Sequence, residues 1–336
     1  MKTSIEKYNN FALCREMLET GEVVKNLNLD TIFSLVSKIN KEKIFFTGEG
    51  SSRIFPAKKT ICDAWANGYP QPMYTEAATQ ALEYKLADSA VFVASNSGKT
   101  KEGVRIIRHL KAQNHSTIIG VIANDGTPIQ QESDAHYLLG CGKEDAVAAT
   151  KSVVEQALFY DLLFRKINGL ELPDLQKLGD LITQVLEMEV SEEISGPLMD
   201  AAVLYWAGRN NGAAEELTLK TNEITRKKSD FLEGTYAAHG IEEVMNKNEA
   251  LIIVDPFKDE EEKFTEVLNQ GVGLPIVAIS DHKTSFPTMI IPAYGQFTPY
   301  LQLVAGWSLL VEVGINAGID LDKPERARKV GNEFLG

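Results

Sequence analysis

Positive charge is in deficit in this chain. Its 336 residues carry 34 Lys and Arg against 47 Asp and Glu, a formal net charge of −13. No basic stripe is available to track a phosphodiester backbone or an anionic bilayer, which argues against nucleic acid or membrane as a partner. A small anionic substrate stays open, because a local site can be positive on an acidic protein. Cysteine is sparse as well. Cys14, Cys62 and Cys141 are scattered, odd in number and without CxxC spacing, a pattern of a reducing compartment and not of structural zinc. No apolar run approaches the ~18 residues that suggest a membrane span, and Met1 to Cys14 is polar and charged, unlike a secretory leader. The expected location is cytoplasmic. A dinucleotide fingerprint is missing too: Gly48-x-Gly50 lacks the third glycine and a well-placed acidic residue. Neither a cofactor nor a metal site is expected.

What is present is alternation. Apolar runs at Ile44–Thr47, Ala90–Ala94, Thr117–Ile122 and Tyr137–Leu139 are separated by helical patterns at Ile54–Trp65 and Glu102–Gln113, and a long helix is expected over Val147–Ile167. Strands alternating with helices imply right-handed crossovers and a parallel sheet covered on both faces. After a helical stretch at Leu175–Ser191 the plan repeats: Ala202–Gly208, a helix over Ala213–Arg226, Leu251–Asp255, Ile276–Ile279, Met289–Ile291 and an apolar helix around Tyr300–Val313. The halves look like a diverged duplication. The expected fold is α/β, two doubly wound three-layer αβα units of flavodoxin type. The expected boundaries are an N-terminal helical segment over 1–30, a first domain over 31–170, a connector over 171–192, a second domain over 193–318 and a C-terminal tail over 319–336 that closes the active site.

The most informative stretch is Ser95-Asn96-Ser97-Gly98-Lys99-Thr100, between an apolar strand and a helical pattern. Hydroxyls and a glycine at a helix N-terminus, where backbone N–H groups have no intrahelical partner, make an anion site. Gly-Lys-Thr invites comparison with a nucleotide-triphosphate loop, but Val93 stands where that loop needs its first glycine. A phosphate or sugar phosphate is the expected guest; the competing reading is an ordinary Ser-rich βα turn. The corresponding segment of the second half is Asp255-Pro256-Phe257-Lys258-Asp259. Proline and two carboxylates do not cradle a phosphate, so only the first half is expected to bind one.

Three segments, Gly48-Glu49-Gly50-Ser51-Ser52, Ser95–Thr100 and Val147-Ala148-Ala149-Thr150-Lys151, resemble the phosphosugar-binding segments of sugar isomerase (SIS) domains. Tandem SIS domains over nearly the whole chain resemble the isomerase half of glucosamine-6-phosphate synthase, and also amino-sugar-phosphate deaminases and fructosamine-phosphate deglycases. Lys220, Glu223 and His239 stand at the synthase intervals, a Lys three residues before a catalytic Glu and a His sixteen after it. Asp322-Lys323-Pro324 with Lys329 five residues beyond the proline reproduces its C-terminal frame. The departures are His239-Gly240-Ile241 for His-Gly-Pro, Tyr236 for an acidic residue, and Asn96 for Gln. They bear on the sugar ring more than on the phosphate.

The resemblance implies a sugar phosphate held by Gly50, Ser51, Ser52, Ser95, Asn96, Ser97, Thr100, Val147 and Ala148. It implies aldose–ketose isomerisation, with or without deamination, of a 6-phosphorylated keto or amino sugar such as fructose 6-phosphate or glucosamine 6-phosphate. Glu223 then carries a proton between C1 and C2, because a desolvated carboxylate rises in pKa. His239 opens the ring, Lys220 steadies Glu223 or the enediolate oxygen, and Lys329 meets the open-chain carbonyl or forms a Schiff base. A homodimer or dimer of dimers is implied, with His239 serving a neighbouring subunit. The chain begins Met1-Lys2 with no glutaminase domain ahead of it, so glutamine-dependent amino transfer is not expected. A deglycase and a non-catalytic sugar-phosphate sensor are the alternatives. By spacing alone, Lys220 and Glu223 on a helix form an ordinary solvated ion pair, and Lys329 in a charged tail an ordinary solvated end.

Overall fold

A computed structural model describes residues 1–2, 5–326 and 333–334. They contain two parallel five-stranded sheets flanked by helices. The first comprises β1 (Lys43–Gly48), β2 (Met73–Ala77), β3 (Ser89–Ser95), β4 (Ile118–Ile122) and β5 (Ala135–Leu138) in the order β2-β1-β3-β4-β5. The second comprises β6 (Val203–Gly208), β7 (Lys228–Glu233), β8 (Ala250–Val254), β9 (Ile276–Ser280) and β10 (Thr288–Ile290), and runs β10-β9-β8-β6-β7. Counted from its own first strand the second order is identical to the first, the topological repeat that the sequence halves suggested.

Two compact units carry these sheets. One is made of Glu22–Glu144, Ala149–Gln176 and Arg326–Gly336; the other of Met1–Gly21, Asp145–Ala148 and Lys177–Glu325. In the first unit, β3 is buried along its length. On one face its Val91 and Val93 pack with Ile106, Ile107 and Leu110 of helix Lys101–Ala112. On the other, Phe46 and Phe92 meet Tyr160 and Phe164 of helix Lys151–Ile167. In the second unit, Leu251 and Ile253 pack with Phe264 and Leu268.

Two expectations need correction. The long helix begins at Lys151 and not at Val147, because the amide of Thr150 is taken by the carboxylate of Glu144 at 2.6 Å, which fixes the first turn there. The sequence reading also lacked β2 and β7. Met73–Ala77 and Lys228–Glu233 are edge strands with polar, partly exposed residues, and they have none of the continuous apolar run that marks a central parallel strand.

The helix pair Ile54–Asn67 and Lys151–Ile167 encloses four charges. Lys59 is fully buried, 2.5 Å from Asp63 and 2.8 Å from Asp161, with Arg165 at 4.0 Å from Asp63. Burial pulls the Lys59 ammonium down, but Asp161 and Asp63 outweigh it and its pKa rises. Burial, reinforced by Asp161, pushes Asp63 up from 3.8 to about 6 against the pull of Lys59. A carboxyl with a raised folded-state pKa binds its proton more tightly in the folded chain. Its stabilising contribution is therefore complete below pH 3.8 and is lost as pH rises through about 6. Urea unfolding between pH 4 and pH 7 is expected to show this downward contribution, and Asp63→Asn to flatten it. An unchanged pH profile in Asp63→Asn rejects the assignment.

Candidate active site

In a parallel sheet of this order, β1 leads to β2 on one side and β3 to β4 on the other, which leaves a crevice at the carboxyl ends of β1 and β3. Gly48 lets the two ends close up: a Cβ there would lie 2.8 Å from Ala94 O and 3.3 Å from Ser52 Cβ. The chain then turns through Gly50, at φ +54°, into a short 3-10 turn over Gly50–Ser52. Ser51 is buried and Ser52 half-buried, and Gln156 Nε2 donates to the Ser52 carbonyl at 2.6 Å.

The β3 loop holds itself. Ser95 Oγ lies 2.7 Å from Thr100 Oγ1 and 3.5 Å from Ser97 Oγ. The Gly98 amide donates to Ser95 Oγ at 3.1 Å, and the Lys99 amide to Ser97 Oγ at 3.2 Å. Gly98 has φ +67°, and a Cβ on it would fall 2.2 Å from Thr127 Oγ1. Ser95, Ser97 and Thr100 are thus gathered at the N-terminus of helix Lys101–Ala112, a constellation suited to oxyanions. Val147 is half-buried and Ala148 buried, in the segment Asp145–Ala148 of the other unit. There the amides of Asp145 and Ala146 donate to Glu16.

Two features at the β3 loop escaped the sequence reading. Glu144, fully buried, accepts from Asn96 Nδ2 at 2.9 Å. Near the other end of the chain, Glu333 forms an antiparallel bridge with Thr100, and the Phe334 amide donates to Lys99 O at 2.7 Å. The Phe334 ring packs against the apolar cluster of that unit, with the Arg108 guanidinium 4.4 Å from its centroid. An aromatic residue in a tail with five charged residues between 325 and 333 was the available signal. Lys329 lies outside the described residues.

Lys220 and Glu223 are one turn apart on helix Ala213–Thr225. They are not the solvated pair that spacing alone suggests. Lys220 is fully buried and donates to Glu223 at 2.8 Å, with Glu216 at 3.3 Å, while the Glu223 side chain is 27% exposed. Burial lowers the Lys220 pKa, but Glu223 and Glu216 overcome that and hold it raised. The exposed edge of Glu223 is thereby kept beside a fixed cation. His239 is exposed, and its Nε2 lies 3.1 Å from Thr235 Oγ1 and 3.0 Å from Lys263 Nζ. The structure joins Lys220 to Glu223 and gives His239 other partners.

At the matching crevice of the second sheet, Gly208 has φ +139° and a Cβ there would meet Val254 O at 2.2 Å. Here an ion pair replaces the hydroxyls: Arg209 Nε donates to Asp255 at 2.5 Å, with its guanidinium 4.2 Å from the Phe257 ring. The adjoining cavity, about 540 Å³, is lined by Arg209, Thr235, Phe257 and Lys258 among others. Asp255, Asp281 and His282 bring their ligating atoms within 4.8 Å of one another.

Lys220→Met leaves two carboxylates beside an uncharged chain. Removing one partner of a buried pair typically costs ~3–5 kcal/mol, and chemical denaturation is expected to show a loss of that order. A loss under ~1 kcal/mol, the range of exposed pairs, rules out a buried structural role.

Residues 39–166 match the SIS domain family. A glutamine–fructose-6-phosphate aminotransferase (isomerizing) of Methanococcus maripaludis is 26% identical over 96% of this chain, which spans 57% of that relative's length. Among solved structures, the C-terminal domain of glucosamine-fructose-6-phosphate aminotransferase from Francisella tularensis superposes with a TM-score of 0.76 at 20% identity, covering 96% of this chain and 100% of that one. Tagatose-6-phosphate ketose/aldose isomerase from Escherichia coli gives 0.80 at 16% identity, over 95% and 97%. Residues 39–166, which carry the β1 and β3 loops at the switch point, are the part of this chain that matches the SIS domain family.

Proposed function

We propose that the protein is a phosphosugar isomerase, built of two SIS units over about 31–170 and 193–318, that interconverts aldose and ketose forms of a 6-phosphorylated keto or amino sugar. The observation that carries this reading is the hydroxyl cluster of Ser95, Ser97 and Thr100 at the carboxyl end of β3. It supplies neutral donors, backed by helix amides, where an α/β sheet takes its ligand. Gly50, Ser51, Ser52, Val147 and Ala148 complete the binding set in this proposal. The names of the relatives, glutamine–fructose-6-phosphate aminotransferase and tagatose-6-phosphate ketose/aldose isomerase, support a sugar phosphate as the guest.

The chemistry assigned to Glu223 is proton transfer between C1 and C2 through an enediolate. The carboxylate takes the carbon-bound proton from one carbon and returns it to the other, leaving the substrate's redox balance unchanged. Lys220, held to Glu223 by a 2.8 Å bond, fixes the orientation of that carboxylate. His239 exchanges the proton of ring opening, and Lys329 meets the open-chain carbonyl. With an amino sugar the same shuttle passes through an imine, whose hydrolysis by water releases ammonia. The working form in this proposal is a cytoplasmic homodimer or a dimer of dimers. No helix among the described residues is long and apolar enough to cross a membrane.

Solvent deuterium incorporation at C1 or C2, followed by NMR on fructose, glucose and glucosamine 6-phosphates, tests the assignment. Label is expected with the wild type. With Glu223→Gln, exchange is expected to fall ~10²–10⁴-fold, the usual contribution of a general base, with binding retained. Exchange at the wild-type rate in Glu223→Gln rejects Glu223 as the base, and no exchange in the wild type favours a sensor.

A further inference from the structure

Asn96 is half-buried in the β3 loop, and its backbone carbonyl is already committed. Its carbonyl accepts from the Ala123 amide at 3.1 Å and from Asn124 Nδ2 at 2.8 Å. Its side-chain Nδ2 donates to Glu144 Oε2 at 2.9 Å. Glu144 is fully buried and also accepts from the Thr150 amide at 2.6 Å, from Thr150 Oγ1 at 3.0 Å and from Ser152 Oγ. Every one of these groups can donate, and an ionised carboxylate can only accept. The identity of the amide atom facing Glu144 is therefore settled by chemistry: the oxygen of Asn96 cannot stand there, because two acceptors would oppose each other. Asn96 Oδ1 takes no bond from the described residues and faces away from the buried carboxylate.

We infer that Glu144 is a positioning residue that makes Asn96 present an acceptor, and only an acceptor, to the ligand of the β3 loop. The class of ligand selected is a sugar phosphate carrying a hydroxyl or ammonium donor at the ring position that meets Asn96. An analogue lacking that donor leaves Oδ1 unpaired once water is excluded. The inference rests on the proposal that this loop holds a sugar phosphate, and it adds what discriminates between sugars. Glutamine at position 144 has one acceptor and one donor end. It cannot receive Asn96 Nδ2 and Ser152 Oγ at one end and the Thr150 amide at the other, so the orientation of Asn96 is no longer dictated.

Calorimetric titration of wild type, Glu144→Gln and Asn96→Ala tests this. The ligands are inorganic phosphate, the fructose, glucose and glucosamine 6-phosphates, and single-deoxy analogues of whichever sugar binds most tightly. The readout is the affinity ratio of parent sugar to each deoxy analogue. The wild type is expected to disfavour one analogue by ~10-fold or more, and both variants to bring that ratio to within ~2-fold of unity. General loosening of the loop weakens parent and analogue alike and leaves the ratio unmoved. Glu144→Gln that keeps the wild-type ratio overturns the inference, as does a wild type that treats all analogues alike; in both cases the phosphate reading stands. A wild type that binds no sugar phosphate removes that reading and this inference with it. If Glu144→Gln does not fold, Asn96→Ala decides: an unchanged ratio there overturns the inference.

Discussion

Two neighbouring parallel strands whose connections leave in opposite directions open a crevice beyond their carboxyl ends, and most of the chemistry proposed for this chain follows from that constraint. Beyond the paired ends of β1 and β3, the loops that line this crevice must satisfy their polar groups without a ladder to do it. Gly48 makes the approach sterically possible. Ser95 then ties the loop to itself through Thr100 Oγ1 and the Gly98 amide, so the donors stand ready before any ligand arrives. Preorganisation of this kind spares a bound anion the cost of ordering the loop.

The second sheet shows the same constraint answered differently. Its strand order repeats that of the first, and Gly208 allows an equally close approach to Val254. Yet Arg209 and Asp255 fill the opening with a pair that is each other's partner. One topology thus offers two crevices of unlike chemistry, the first lined by hydroxyls and amides, the second by a guanidinium, a carboxylate and an aromatic ring. Fold alone does not distribute function between them; the residues after β3, β6 and β8 do.

Much of this was legible from residue patterns. The central strands β1, β3, β6 and β8 are short apolar runs bounded by glycine or polar clusters, and both the repeat and the β3 loop could be read from them. The edge strands β2 and β7 could not, since a strand exposed on one side and paired on the other leaves no strong hydrophobic signature. The Lys220–Glu223 spacing was visible, but the burial of Lys220 was not. Three-residue spacing on a helix is the same for a surface pair and for one enclosed with Glu216. Glu144 left no local signal either. Its partners come from residue 96 on one side and residues 150 and 152 on the other, and only the folded chain brings a β-strand loop and a helix start to one carboxylate.

That carboxylate also bears on how an acidic protein can recognise an anion. The formal charge of −13 leaves no general attraction for a phosphate, and Glu144 places a buried carboxyl group beside the candidate loop. Its oxygens are engaged inward, by the Thr150 amide, two hydroxyls and the Asn96 amide. In the proposed site the groups left for a ligand include the donors at Ser97, Thr100 and the start of helix Lys101–Ala112, together with the Asn96 acceptor. In that proposal recognition rests on directed hydrogen bonds more than on a long-range field, and directed bonds fall away steeply when an atom is missing or misplaced. A weakly attracting but geometrically exacting loop is what a site needs if it must tell one sugar phosphate from another of the same charge.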